Sequence, residues 1–314
     1  MATVVQYEQL GGPEVLEVVE VPDPAAPAGG VVVRVHAAGV NPIDGKLRSG
    51  GRPSGPFTGP RVPGGDAAGT IVEVGDGVDG WAVGDEVVVR GAKGAYATHL
   101  VADAAQLVRK PAEVSWEQAA SIGIPVSTAY QALVSLGVAE GETLLIHGGS
   151  GAVGRAAVQL ARRDGATVVA TASPANHERL RELGATPVAY GDGLLERLRA
   201  AAPQGYDRIL DAVGTDEALE TSFALVDDRS RIGTVVVGGR AAELGIQAWA
   251  GGNPLPLTAE QSALRDDAYG LVLDLIARGE FEVDIARTFP LAEAAEAARL
   301  VESGHPGGKV VLLP

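Results

Sequence analysis

Cysteine is absent from all 314 residues. That excludes disulfides, a thiolate nucleophile and every cysteine-ligated zinc site. It leaves the redox compartment open, because a cytosolic protein can simply lack the residue. Long apolar runs are also missing, and none approaches the ~20 residues of a membrane span. The first residues, MATVVQYE, have no charged region ahead of an apolar stretch, so a secretory leader is not expected. The expected setting is cytoplasmic, with no membrane partner. Positive charge is scarce. Lys and Arg total 25 against 40 Asp and Glu, a net charge of −15, and only four of the 25 are lysine. A general nucleic-acid binder needs a basic face, so no nucleic-acid partner is expected. The acidity reads as solubility. Abundant Ala, Gly and Arg beside so little Lys is the composition of a GC-rich bacterial genome.

What is present is concentrated at 142–154, ETLLIHGGSGAVG. An apolar strand at 143–146 runs into a glycine turn, and Gly149, Gly151 and Gly154 fit G-x-G-x-x-G. A helix-forming run at 155–163 closes at Gly165, and a second strand is expected at 166–171. Strand, glycine turn, helix and strand within about thirty residues is the setting of dinucleotide binding. Gly149 is assigned the tight turn, Gly151 the close approach to a pyrophosphate, and Gly154 the close packing of helix on strand. The peptide groups of Ser150, Ala152 and Val153 belong to the same cradle. There the helix start offers N–H groups and a positive dipole.

The first part of the chain reads as short strands broken by Gly and Pro, at 15–21, 31–37, 70–74 and 86–90, an all-β module. From Trp116 the texture changes. Helices are expected at 116–121 and 125–137. Strand and helix signals then alternate: 166–171, helix 175–183, 187–190, helix 193–201, 207–211, helix 216–225 and 232–237. That alternation indicates a parallel sheet wrapped by helices, an α/β architecture. Segment 240–262 is irregular, helices follow at 266–278 and 291–303, and a strand at 309–313 ends the pattern.

Several motifs converge on one family: AAGVNPID (37–44), PGGDAAG (63–69), GDEV (84–87), GAYA (94–97), ASIGIPVSTAY (120–130), HGGSGAVG (147–154) and GKVVL (308–312). Together they resemble the medium-chain dehydrogenase/reductase superfamily, and within it the zinc-free quinone oxidoreductases related to zeta-crystallin. The resemblance covers nearly the whole chain in order. It implies a GroES-like β domain (1–122), a doubly wound Rossmann domain (123–262) and a C-terminal return to the first domain (263–314). A cleft between the domains is implied to hold the nicotinamide. The zinc-ligand slots of the superfamily fall on Asn41, Gly65 and Ile124. The five histidines (36, 99, 147, 177, 305) show no H-x-x-x-H pairing, so no metal is expected. Without a Lewis acid, the expected reaction is hydride transfer to an already electrophilic small molecule, a quinone or an enone.

NADPH is the expected cofactor. An NAD site carries an acid at the end of the second strand, ~20 residues past the first glycine. Here that end reads VVATAS over 168–173, Thr171 and Ser173 included, with no acid to repel a 2′-phosphate. Ser173 is a hydrogen-bond donor for that phosphate. His177 stands where relatives carry a lysine, with Arg179 nearby, and Tyr190 takes the position of a ring that flanks the adenosine phosphate. A plain surface helix is the other reading of His177 and Arg179. Lys309 is either an added positive charge or a strand-edge lysine. Thr128, with Ser127, either contacts the nicotinamide ribose or starts its helix. Val237, Gly238 and Gly239 are placed at the carboxyl edge of the sheet, offering backbone contacts to the carboxamide.

On the cleft-lining loop the resemblance singles out Asn41, Asp44 and Lys46. Asn41 is either an amide donor to a developing oxyanion or a turn residue before Pro42. Asp44 either positions water or supports the loop. Lys46 replaces an aromatic of the relatives, suiting an anionic acceptor or else facing solvent. Two other functions compete with the quinone and enone reading: an enoyl-thioester reductase, with Lys46, Arg48, Arg52 and Arg61 for a phosphopantetheine arm, and a non-catalytic NADPH-binding protein. A homodimer is expected through segment 240–257, with its apolar Leu244, Ile246 and Trp249.

Overall fold

The computed structural model describes residues 1–249, 253–304 and 306–314. His305 and positions 250–252 of the irregular segment lie outside the described residues. The chain forms two compact units, Met1–Ile124 with Tyr269–Pro314, and Pro125–Ala268.

The first unit is organised on the strand Gly30–Val40, which is buried along almost its whole length. It pairs antiparallel with Asp66–Val74 throughout, with His99–Asp103 at its start and with Lys309–Leu313 at its end. Ile285–Pro290 runs parallel to Lys309–Leu313, while Glu86–Val89 and then Leu107–Arg109 extend the other side. Val31, Val33, Ile71, Val87, Leu100 and Leu312 form the core. Each buried aliphatic chain stabilises by roughly 1.5–3 kcal/mol. The helix Ala294–Glu302 covers it with Ala297 and Val301. Ala2–Gln6 and Glu17–Val21 make a separate two-stranded ribbon.

One local expectation is corrected here. Residues 41–48 are not a loop: Pro42–Arg48 is helical. Asn41 is extended at the N-cap, Pro42 takes the first turn without losing a hydrogen bond, and the Asp44 carboxylate accepts the Asn41 backbone N–H at 2.9 Å.

The second unit carries six parallel strands in the order Thr186–Val188, Thr167–Thr171, Thr143–His147, Arg208–Asp211, Ile232–Thr234 and Gln247–Ala248. This is the doubly wound dinucleotide-binding order. The helix Ala152–Arg163 buries Ala156, Ala157, Leu160 and Ala161 on one side, and the helix Asp216–Leu225 starts on Thr215, whose hydroxyl accepts the Ala218 N–H. Two boundaries move. The helix Gly123–Leu136 begins earlier than expected, so Ser127 and Thr128 sit in its second turn, buried, and do not start it. Strand Ile232–Thr234 stops short of Val237 because the Thr234 hydroxyl accepts the N–H groups of Val236 and Val237 and turns the chain. Val237 and Gly239 therefore flank or join a 3-10 turn, Gly238–Arg240, beyond the strand. Segment 240–262 also contains the helix Ala241–Leu244 and the edge strand Gln247–Ala248. Ile246 and Leu244 join this unit's core, and the buried Trp249 ring packs on Gly233. Ile246 and Trp249 are thus buried in their own unit, and Leu244 partly so.

No helix among the described residues is long and apolar enough to cross a membrane.

Candidate cofactor and active site

The strand Thr143–His147 leaves the sheet into Gly148, which carries the left-handed backbone of the turn at φ +79°. The tight-turn role assigned to Gly149 therefore belongs to Gly148. Gly149 is glycine for a different reason: a Cβ there would sit 2.6 Å from the Ala170 Cβ on the neighbouring strand. Gly154 is glycine because a Cβ would fall 2.2 Å from the Gly148 carbonyl oxygen, with the Gly149 Cα at 2.7 Å. Gly151 is the exception. It has φ −72°, is exposed, and the nearest atom to an added Cβ is 3.5 Å away. No internal contact demands glycine there. It lies at the N-cap of Ala152–Arg163, and the N–H groups of Ala152, Val153 and Gly154 precede the first intrahelical bond, Arg155 N–H to Gly151 oxygen. A cradle that a side chain would fill, beside a helix start, fits a pyrophosphate. When bound, a nicotinamide dinucleotide supplies a hydride, and the turn's part is to hold its phosphates.

Thr171 is committed to this turn. Its hydroxyl accepts the Gly148 N–H at 3.1 Å and lies 3.4 Å from His147 Nδ1, and its carbonyl accepts the Gly149 N–H. These contacts make it a support of the cradle. His147 Nε2 is buried with no hydrogen-bond partner, and burial, opposed by the Asp211 charge, pushes the imidazole down to about 4, so the ring is neutral.

At the end of the second strand, Ser173 Oγ accepts from Asn176 Nδ2 at 3.0 Å. His177 Nε2 sits 3.2 Å from the Ala172 carbonyl, and Arg179 is paired with Glu182 at 3.0 Å. Both residues thus have partners on their own segment. Tyr190 is half exposed. The cation that reaches the strand end is Arg155, buried on Ala152–Arg163, with Nη2 3.3 Å from Asn176 Oδ1. The sequence reading missed it, since an arginine in a helix normally marks solvent.

The first unit holds a buried polar cluster. Asn41 Nδ2 donates to Asp66 Oδ2 at 2.9 Å and to the Gly39 carbonyl at 3.3 Å, and Asn41 Oδ1 accepts from Lys309 Nζ at 2.6 Å. Asp66 Oδ1 accepts the Ile124 N–H, and its Oδ2 lies 3.8 Å from Lys309 Nζ. The oxyanion role expected for Asn41 is corrected: both its amide hydrogens point inward. Lys309 is corrected too. It is neither a cofactor-side charge nor an edge lysine but a buried cation in the middle of a sheet. Burial pushes Asp66 up and Lys309 down, and each one's charge opposes the other's shift. Lys46 lies on the exposed side of Pro42–Arg48, opposite the buried Asp44 and Arg48.

Asp44 Oδ2 accepts from the Tyr96 hydroxyl at 3.0 Å as well as from the Asn41 N–H. Burial still dominates and raises its carboxyl from 3.8 to about 6; the Asn41 bond opposes, the Asp66 charge reinforces. A value raised on folding means that the folded protein keeps a proton the unfolded chain releases. The associated stability is complete below about pH 4 and is lost as the pH climbs through about 6, roughly 3 kcal/mol in all. Asp44→Asn is expected to escape that loss. Urea denaturation of both proteins at about pH 4.5 and pH 7.5 checks it: the variant should gain on the parent at the higher pH. An unchanged gap would show that Asp44 titrates normally.

A model of the alcohol dehydrogenase GroES-like domain matches residues 27–112, and one of the zinc-binding dehydrogenases matches 183–312. Human quinone oxidoreductase is 30% identical over 333 residues, covering 98% of this chain and 97% of its own. The solved structure of Escherichia coli quinone oxidoreductase complexed with NADPH superposes with a TM-score of 0.85 at 26% identity, over 99% of this chain and 100% of that one. The chain belongs to the quinone oxidoreductase family of the medium-chain dehydrogenases/reductases. Polyketide synthase GfsB of Streptomyces halstedii is 45% identical over 159 residues, half of this chain but 3% of the synthase.

This quinone oxidoreductase-family chain does not fit the zinc that one matched model's description carries. Of the slots Asn41, Gly65 and Ile124, the last two offer no ligand atom in their side chains. A Cβ on Gly65 would stand 3.1 Å from Ile124 Cδ1, so hydrocarbon faces the position where a ligating side chain would begin. Among the described residues no group of three His, Cys, Asp or Glu could hold an ion. What joins these segments is Asp66, bonded to the Asn41 amide and to the Ile124 N–H.

Proposed function

We propose that the chain is an NADPH-dependent oxidoreductase that transfers hydride to a quinone or an α,β-unsaturated carbonyl without a metal. The observation that carries this reading is the filling of the zinc slots by Gly65, Ile124 and an Asn41 whose amide is committed to Asp66. An alcohol substrate needs its alkoxide stabilised, and these residues supply nothing for that. An electrophilic acceptor needs less, because hydride addition to it yields a delocalised enolate or phenolate. Water then supplies the proton that completes the two-electron reduction. The acid-free strand end 168–173 and a relative complexed with NADPH support the choice of cofactor.

The polyketide synthase match favours a second reading, an enoyl-thioester reductase. Of the four basic residues suited to a phosphopantetheine arm, Arg48 is buried against Glu302, and Arg61 is bonded to Ser54, Gly55 and Pro56 while lying over Phe57. Lys46 and Arg52 are left for an anionic arm. NADPH oxidation measured against quinones, 2-enones and an enoyl N-acetylcysteamine thioester tests both readings. Turnover of the thioester alone would replace the first reading by the second, and turnover of none would leave an NADPH-binding protein.

A homodimer is also proposed. Its structural support is the edge strand Gln247–Ala248, whose outer side is the end of the six-stranded sheet and suits pairing with a second copy. Sedimentation equilibrium at micromolar concentration should give twice the 31.9 kDa chain mass. A monomer there would overturn the proposal.

A further inference from the structure

We infer that Arg155 is the residue that selects the 2′-phosphate of the dinucleotide, with Asn176 holding its guanidinium in place. The inference rests on the NADPH reading above. Arg155 directly follows Gly154, one helical turn into Ala152–Arg163 and within reach of the end of the second strand. Its residue exposure is 9%, unusually low for arginine. Nη2 donates to Asn176 Oδ1 at 3.3 Å, and Asn176 Nδ2 donates in turn to Ser173 Oγ at 3.0 Å. This line of guanidinium, carboxamide and hydroxyl runs from the glycine turn to the strand end. A ribose bound to the turn places its 2′ position at that end.

The chemistry of the site is that of an anion. Positions 172–177 read ASPANH and contain no carboxylate. Glu178, the first acid beyond, is turned outward and paired with Arg181. The 3.3 Å contact from Arg155 to Asn176 is one of the interactions of that guanidinium, and it brings the fork to the strand end. A phosphate dianion offers shorter, charge-assisted bonds to the planar fork. The other basic residues of the segment are directed elsewhere, His177 to the Ala172 carbonyl and Arg179 to Glu182. Ser173 and Asn176 then become neutral companions of the phosphate, and Arg155 supplies its charge.

The test is the ratio of NADPH to NADH dissociation constants, measured by fluorescence titration on the full chain. Arg155→Gln should weaken NADPH about tenfold to a hundredfold, the usual worth of a charged hydrogen bond, and leave NADH within about twofold. The retained NADH affinity certifies the fold. Asn176→Asp is nearly isosteric and covers the case in which Arg155→Gln does not fold. It should also lower the ratio, because the new carboxylate pairs with Arg155 and repels the phosphate. If the parent prefers NADPH and both variants keep that preference, the inference is overturned while the cofactor reading stands. If the parent binds both dinucleotides equally, the cofactor reading fails and the inference falls with it.

Discussion

Asp66→Ala is expected to destabilise the first unit by about 3–5 kcal/mol, the range for removing one partner of a buried ion pair. Asp66 is fully enclosed and joins three elements: the Asn41 amide, the Ile124 N–H and the Lys309 ammonium. Without it the acceptors of the buried Lys309 among the described residues are Asn41 Oδ1 and the Val40 carbonyl, with the Asp44 charge acting from further away. A neutral acceptor does not offset the desolvation of an ammonium. Lys309→Met should cost less near about pH 5 than near about pH 8. The carboxyls it leaves behind are already shifted upward and take up protons at the lower pH. The double variant Asp66→Asn, Lys309→Met should be more stable than the Asp66→Ala single near about pH 5, because the buried ammonium leaves together with the carboxylate that faced it and the remaining Asp44 is protonated there. Urea midpoints of the three proteins decide the matter. A cost below about 1 kcal/mol for Asp66→Ala, the level of an exposed pair, would mean that water reaches the cluster.

The second large effect separates two glycines of one motif. Gly154→Ala places a Cβ against backbone atoms of Gly148 and Gly149 that cannot turn away. Overpacking of this kind costs typically about 1–3 kcal/mol, and backbone contacts as close as these lie at or beyond the upper end. Gly151→Ala meets only an ordinary contact, so its stability should stay within about 1 kcal/mol of the parent, the worth of an N-cap change. Its NADPH affinity should nevertheless fall at least about tenfold, since the methyl group stands where a pyrophosphate approaches the backbone. Denaturation and cofactor titration on the same two proteins give the four numbers. A fully stable Gly154→Ala would refute the packing account. Full affinity in Gly151→Ala would mean that the phosphates lie elsewhere.

The glycine turn was legible because its demands are local. The strand, the turn and the helix are carried by one contiguous run, and the six-stranded order follows from repetition of that unit. Even so, the left-handed residue was Gly148, one position earlier than the motif suggested, and backbone angles settle that. The helix Asp216–Leu225 was legible to the residue, since Thr215 starts it and Asp216 and Glu217 fill its first turn. Strand Ile285–Pro290 escaped notice because it is mostly exposed and shows no apolar alternation. Arg155 escaped for a different reason. It contacts Asn176, 21 residues away, and composition carries no trace of that contact. The Asn41, Asp66 and Lys309 cluster was the least legible of all. Each residue has an ordinary explanation where it stands, a turn, a loop acid and a strand-edge lysine, and only the sheet brings them together.

The position of Lys309 also bears on the order in which the chain can be assembled. Asn41 and its partner Lys309 are 268 residues apart, with the whole of the second unit translated between them. Residues 125–268 form an unbroken stretch that can close as soon as it leaves the ribosome. Residues 1–124 emerge before them, yet they wait with Asp66 lacking its counter-ion and with the end of Gly30–Val40 lacking the strand that pairs with it. Of the two units, the one begun earlier is therefore finished later. A nascent chain stalled before residue 309 should hold a folded dinucleotide unit beside an incomplete sheet.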